Sequence, residues 1–159
     1  MRLHGLRLPV TPITHADGRR NCPTGADNEV WSYGEDVYAI LTSYLQLRER
    51  MRPYVREVMR QAHELGDPVM RPMFYGYPDD ERCWAVEDQY LFGPDLLVAP
   101  VVEPGARERE VHLPRGGTWT ELHSGRRFDG GQTIEAQAPL AVIPVFARDG
   151  THPELVGTI

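Results

Sequence analysis

Cysteine is scarce. Cys22 and Cys83 are the only 2 in 159 residues, and no CxxC pair or second ligand set accompanies them to complete a zinc site. They read as two independent thiols rather than a disulfide, which fits a reducing, cytoplasmic setting. Long apolar runs are also missing. No stretch approaches the roughly 18 residues needed to span a bilayer, and Met1–Val10 lacks the apolar core of a signal peptide, so no membrane association is expected. Basic charge is in deficit, with 17 Lys and Arg against 23 Asp and Glu and a net charge of −6. No field exists to hold a phosphate backbone, so no nucleic-acid partner is expected. The densest basic stretch, Arg48, Arg50, Arg52, Arg56 and Arg60, is interleaved with Glu49 and Glu57 and reads as a solvated helix face.

The residues present describe a globular chain. It is 41% hydrophobic and 25% charged, with 15 Gly and 14 Pro that point to many turns. Residues 1–28 carry Gly5, Pro9, Pro12, Gly18, Pro23 and Gly25 without a sustained period of 2 or 3.6, which predicts an extended, irregular loop. The pattern then changes. Ser32-Tyr33-Gly34-Glu35 has the form of a capping box. After it, Val37, Ile40, Leu41, Tyr44, Leu45, Met51, Tyr54, Val55, Val58, Met59 and Ala62 draw one apolar stripe at helical spacing. Pro53 removes a backbone donor inside that run and Gly66 is a natural stop, so two helices are predicted, near 35–51 and 53–65.

From Pro68 the helical period disappears. Short β-type runs follow at Val69–Tyr75, Gln89–Phe92, Leu96–Val102, Glu110–Leu113, Thr118–Glu121, Thr133–Ala136 and Val142–Ala147, with turn chemistry between them. An antiparallel β-sandwich is the natural closure. The chain therefore reads as α+β in two unlike pieces, residues 1–67 and 68–159. On physics alone two readings of the first piece stand: the helices cover the sandwich in a complete domain, or they belong to a larger partner such as a parallel barrel.

Candidate chemistry is thin. Asp79, Asp80 and Glu81 lie in a Pro-initiated turn where carboxylates are expected to be solvated. Asp17, Asp27 and Glu29 sit in the long loop with nothing to fix a pair. His15, His63, His112, His123 and His152 show no metal-ligand spacing, so no metal and no cofactor is expected. Aromatic rings can stack on apolar sugar faces. Of Trp31, Trp84 and Trp119, the strand residue Trp119 reads as core, and Trp31, beside the loop, is the candidate for lining a site.

Several phrases resemble, in order, the C-terminal third of family 31 glycoside hydrolases. Arg2-Leu3-His4-Gly5 resembles the Arg-x-His motif that closes the last barrel strand. Asn28–Glu35 is similar to the approach to the final barrel helix, and Leu47–Tyr54 to that helix's Leu-Arg-x-x-Leu-x-Pro-Tyr stretch. Pro68–Phe74, Asp88–Val101 and Ile143–Gly150 resemble phrases of the sandwich that follows. The resemblance implies that residues 1–67 are the end of a (β/α)8 barrel and 68–159 the proximal C-terminal sandwich of a retaining α-glycosidase, acting on terminal α-xylosyl or α-glucosyl groups. It implies that His4 donates to sugar hydroxyls with Arg2 beside it, and that both catalytic aspartates lie upstream of Arg2, leaving no catalytic residue here. A carbohydrate substrate and a barrel-bearing partner chain, or a homo-oligomer, are the expected partners. A non-catalytic carbohydrate-binding or structural β-sandwich is the alternative.

Overall fold

In a computed structural model the described residues are 30–158. The loop expected at residues 1–28, Cys22, Arg2 and His4 lie outside them. The chain divides into two compact units, Met1–Glu49 and Arg50–Ile159.

In the first unit, Val30–Tyr33 forms a 3-10 turn, and helix α1 (Glu35–Arg50) begins after it and runs up to the boundary. The capping box places the helix start at Ser32 with Glu35 a turn inside; instead Glu35 is the first helical residue. Gly34, at φ 89°, separates the 3-10 turn from the helix, and its carbonyl accepts from the Tyr38 amide at 2.8 Å. Glu35 and Asp36 then sit in the first turn, where exposed amides favour negative charge. Val37, Ile40, Leu41, Tyr44 and Leu45 are half-buried, and Leu47 is buried.

In the second unit, helix α2 spans Arg52–Leu65 with proline in its first turn. Pro53 has no amide hydrogen to continue α1 but suits a helix start, so the predicted break is found at Met51. Gly66 ends α2, donating its amide to Ala62 O at 3.2 Å. Arg52, Arg56 and Arg60 are exposed, and Arg60 pairs with Glu57 and Glu64, the solvated face expected of this stretch.

Eight strands follow: β1 (Met70–Pro72), β2 (Tyr90–Phe92), β3 (Leu96–Val98), β4 (Glu108–Leu113), β5 (Thr118–Glu121), β6 (Arg127–Asp129), β7 (Gln132–Gln137) and β8 (Val145–Arg148). They form a six-stranded sheet in the order β1-β2-β3-β8-β5-β6 and a two-stranded ladder β4-β7, antiparallel throughout. The register brings Leu91, Leu97 and Phe146 side by side. Together with Trp119 they share one core with Val111, Leu113 and Ala136 of the ladder. The expected α+β architecture with antiparallel sheets, and the core position of Trp119, are both found.

The opposite face of the large sheet is covered too. Leu96 and Ala147, paired across β3 and β8, are buried, and α2 lies near this side. Val58 is fully buried, and Tyr54 donates to Phe92 O at 2.8 Å. Gly93, at φ 65°, permits the approach: a Cβ there would run into the Tyr54 hydroxyl and come within 2.8 Å of Val58 Cγ2. Central strands buried on both faces explain why Tyr90–Phe92 and Leu96–Val98 read as apolar runs instead of alternating.

Three elements differ from expectation. The run Val69–Tyr75 is strand only to Pro72; Met73–Gly76 is a helical turn (α3), closed by the Tyr77 amide on Met73 O, which drives Met73 into the core. Arg82–Ala85 forms a second short turn (α4). Strand β6 carries one half-buried aromatic, Phe128, between exposed Arg127 and Asp129, too short an alternation to announce itself.

Candidate functional site

The most elaborate polar arrangement among the described residues sits on the outer face of the β4-β7 ladder. Along β4, Val111 and Leu113 point into the core, so by strand alternation His112 points away. The segment Pro78–Gln89 lies over it. Gln89 clamps both main-chain groups of His112: its amide nitrogen donates to His112 O at 2.7 Å and its oxygen accepts from His112 N at 3.0 Å. One side chain thus supplies the two bonds that a further strand would make.

Asp80 lies above the imidazole. Its Oδ2 is 3.0 Å from His112 Nε2 and accepts from the Arg115 amide at 3.3 Å, while Oδ1 accepts from the Arg82 amide at 3.2 Å. Sequence reasoning expects this carboxylate to be solvated, and that is wrong for Asp80, which is 8% exposed. Tertiary contact with β4 overrides the turn's preference for water. Burial by itself would raise the Asp80 carboxyl, but the His112 hydrogen bond and the two amides outweigh it, and the pKa falls below its ordinary value.

Cys83, one helical turn further along, is buried against the core with no disulfide. Burial, followed by the charge of Asp80, pushes its thiol up to about 12. One ligand atom from each of Asp80, Cys83 and His112 lies within 4.8 Å of the others. Thr133 Oγ1 stands 3.5 Å from His112 Nδ1 and accepts from the Arg82 guanidinium. A cavity of about 540 Å³ opens beside them, lined by Arg82, Val86, Asp88, Gln89, His112 and Thr133 among others. Spacing along the chain could not reveal this group, because His112 is 32 residues from Asp80.

Two exposed rings, one on α3 and one on α4, pack together nearby in the chain. Phe74 and Trp84 stack with centroids 4.6 Å apart and planes inclined by 12°, and Trp84 Nε1 donates to Pro78 O at 2.9 Å. Trp31 is 70% exposed, in the 3-10 turn of the first unit. Arg2 and His4 are outside the described residues.

The pattern of the glycosyl hydrolase family 31 C-terminal domain matches residues 66–151, more than half of the chain. The chain belongs to glycosyl hydrolase family 31. Its β strands are therefore those of the family's C-terminal domain, a part distinct from a catalytic barrel. Among solved structures, a family 31 α-xylosidase from a soil metagenome, complexed with xylose, is 54% identical with a TM-score of 0.81, covering 91% of this chain and 21% of that one. Alpha-glucosidase 2 of Bacillus thermoamyloliquefaciens is 35% identical over 84% of this chain and 17% of its own length. The sulfoquinovosidase of Agrobacterium fabrum is 37% identical over 91% of this chain and 22% of its own. The chain thus spans about a fifth of the length of the family 31 relatives it matches.

Proposed function

We propose that the chain is the C-terminal part of a retaining α-glycosidase that removes terminal α-xylosyl or α-glucosyl residues. In this reading residues 1–67 complete a (β/α)8 barrel, His4, Arg2 and Trp31 contact the sugar, and residues 68–159 are the supporting β-sandwich. The observation that carries it is the 54% identity, at TM-score 0.81, with an α-xylosidase over 91% of the chain. The half-buried stripe of α1 suits a helix whose remaining partner is the rest of such a barrel.

A retaining glycosidase needs two carboxyl groups about 5–5.5 Å apart, one to attack the anomeric carbon and one to protonate the leaving oxygen. In this reading both lie upstream of Arg2. A guanidinium and an imidazole can orient a sugar and donate to its hydroxyls, but neither replaces that pair. The isolated chain is therefore expected to release no aryl leaving group from aryl α-xyloside or α-glucoside, and clear turnover would overturn the reading. Grafted in place of the matching segment of the soil-metagenome α-xylosidase, the chain should support hydrolysis. There His4→Ala should lower kcat/KM by about 100-fold, or ~2.7 kcal/mol of transition-state stabilisation.

The exposed Phe74–Trp84 stack favours a second reading, a non-catalytic carbohydrate-binding sandwich. Electrophoresis through a gel containing soluble α-glucan separates the two. The leading reading expects equal mobility for the wild-type chain and Trp84→Ala; retardation of the wild type that Trp84→Ala abolishes would establish the second.

A further inference from the structure

We propose that Asp80, Cys83 and His112 form a binding site for a single zinc ion, which staples the Asp80–Cys83 turn to strand β4. All three residues are buried, and one ligand atom of each lies within 4.8 Å of the other two. A tetrahedral Zn²⁺ with sulfur at about 2.3 Å and nitrogen or oxygen at about 2.0–2.2 Å sets its ligand atoms roughly 3.3–3.6 Å apart. Asp80 Oδ2 and His112 Nε2, at 3.0 Å, need to separate by only a few tenths of an ångström, and the thiol, within 4.8 Å of both, needs to close in by at most roughly 1.5 Å.

The donor set selects the metal. A thiolate, an imidazole and one carboxylate suit zinc, whereas calcium and magnesium take oxygen ligands. Charge balances as well: the dication is neutralised by one carboxylate and one thiolate, so no net charge is left in a buried place. On binding, the Cys83 proton leaves to solvent. The imidazole gives up its Nε2 position to the metal and carries its proton on Nδ1, where Thr133 Oγ1, 3.5 Å away, accepts it. That hydroxyl orients the histidine, and the amides of Arg82 and Arg115 orient the carboxylate, the outer support that metal ligands ordinarily receive. A water molecule would complete the tetrahedron as fourth ligand.

This site is independent of the sugar-binding proposal, and the full chain tests it. Metal-stripped protein titrated with Co²⁺ should develop a thiolate-to-cobalt charge-transfer band that saturates at one equivalent and is abolished by Zn²⁺. Excess Zn²⁺ should raise Tm by about 5 °C or more. Cys83→Ala should lose the band and the Tm increase, while Cys22→Ala keeps both. Absence of a charge-transfer band in the wild-type chain overturns the proposal whether or not any variant folds. So does a band that survives Cys83→Ala and disappears in Cys22→Ala.

Discussion

Trp119→Ala is expected to remove about 3–5 kcal/mol from the free energy of unfolding, the range for truncating a large buried aromatic. Trp119 is 1% exposed, at the point where β5 is bonded to both β6 and β8. Its ring meets Tyr77 at a centroid distance of 6.0 Å, and its indole N–H donates to Pro114 O at 3.1 Å. Alanine would open a cavity between the two sheets and leave the buried Pro114 carbonyl without its donor. Urea unfolding of the full chain measures the loss. Trp84→Ala, whose indole is 61% exposed, is the control and should stay within about 1 kcal/mol of wild type. Equal midpoints for the two variants would show that the sheets do not close on Trp119.

Asp80→Ala should cost about 3 kcal/mol in buffer containing a chelator, because it leaves the His112 imidazole and the amides of Arg82 and Arg115 facing a buried space without their acceptor. Asp80→Asn keeps a carbonyl oxygen and loses the charge, so it should cost roughly half as much. The pH dependence has a definite sign. The folded-state pKa of Asp80 is depressed, so its contribution is complete above the ordinary carboxyl range and fades as pH falls through the folded value. The difference between wild type and Asp80→Asn, followed by urea unfolding from neutral pH downwards, should therefore shrink in acid. A difference that is negligible at neutral pH would mean that Asp80 is solvated after all.

Much of the secondary structure was legible in the chain because its signals are local. The apolar stripe, Pro53 and Gly66 placed two helices within a residue or so of α1 and α2. The β-type runs matched seven of the eight strands in place, though not always in length. The family phrases were legible for another reason: they are fixed combinations of residue types that need no fold to be seen. The misses were also physical. Met73–Gly76 has strand-like composition, yet Pro72 ends the strand and the turn is held by burial of Met73 in a core assembled from distant strands. The capping pattern put the helix start at Ser32, but Val30–Tyr33 forms a 3-10 turn and Gly34 separates it from α1.

By itself, then, the sequence determined the helices and their break, the β-rich second part, the core role of Trp119 and the likeness to family 31. Only the tertiary structure decided that both faces of the central strands are covered and that Asp80 is dry. It alone decided that Asp80 and Cys83 meet a histidine 32 residues from Asp80. Hydrogen-bond propensity and apolar spacing act between near neighbours along the chain. Whether a polar side chain keeps its water depends on which remote segment lands on it, and that is settled when the sheets pair.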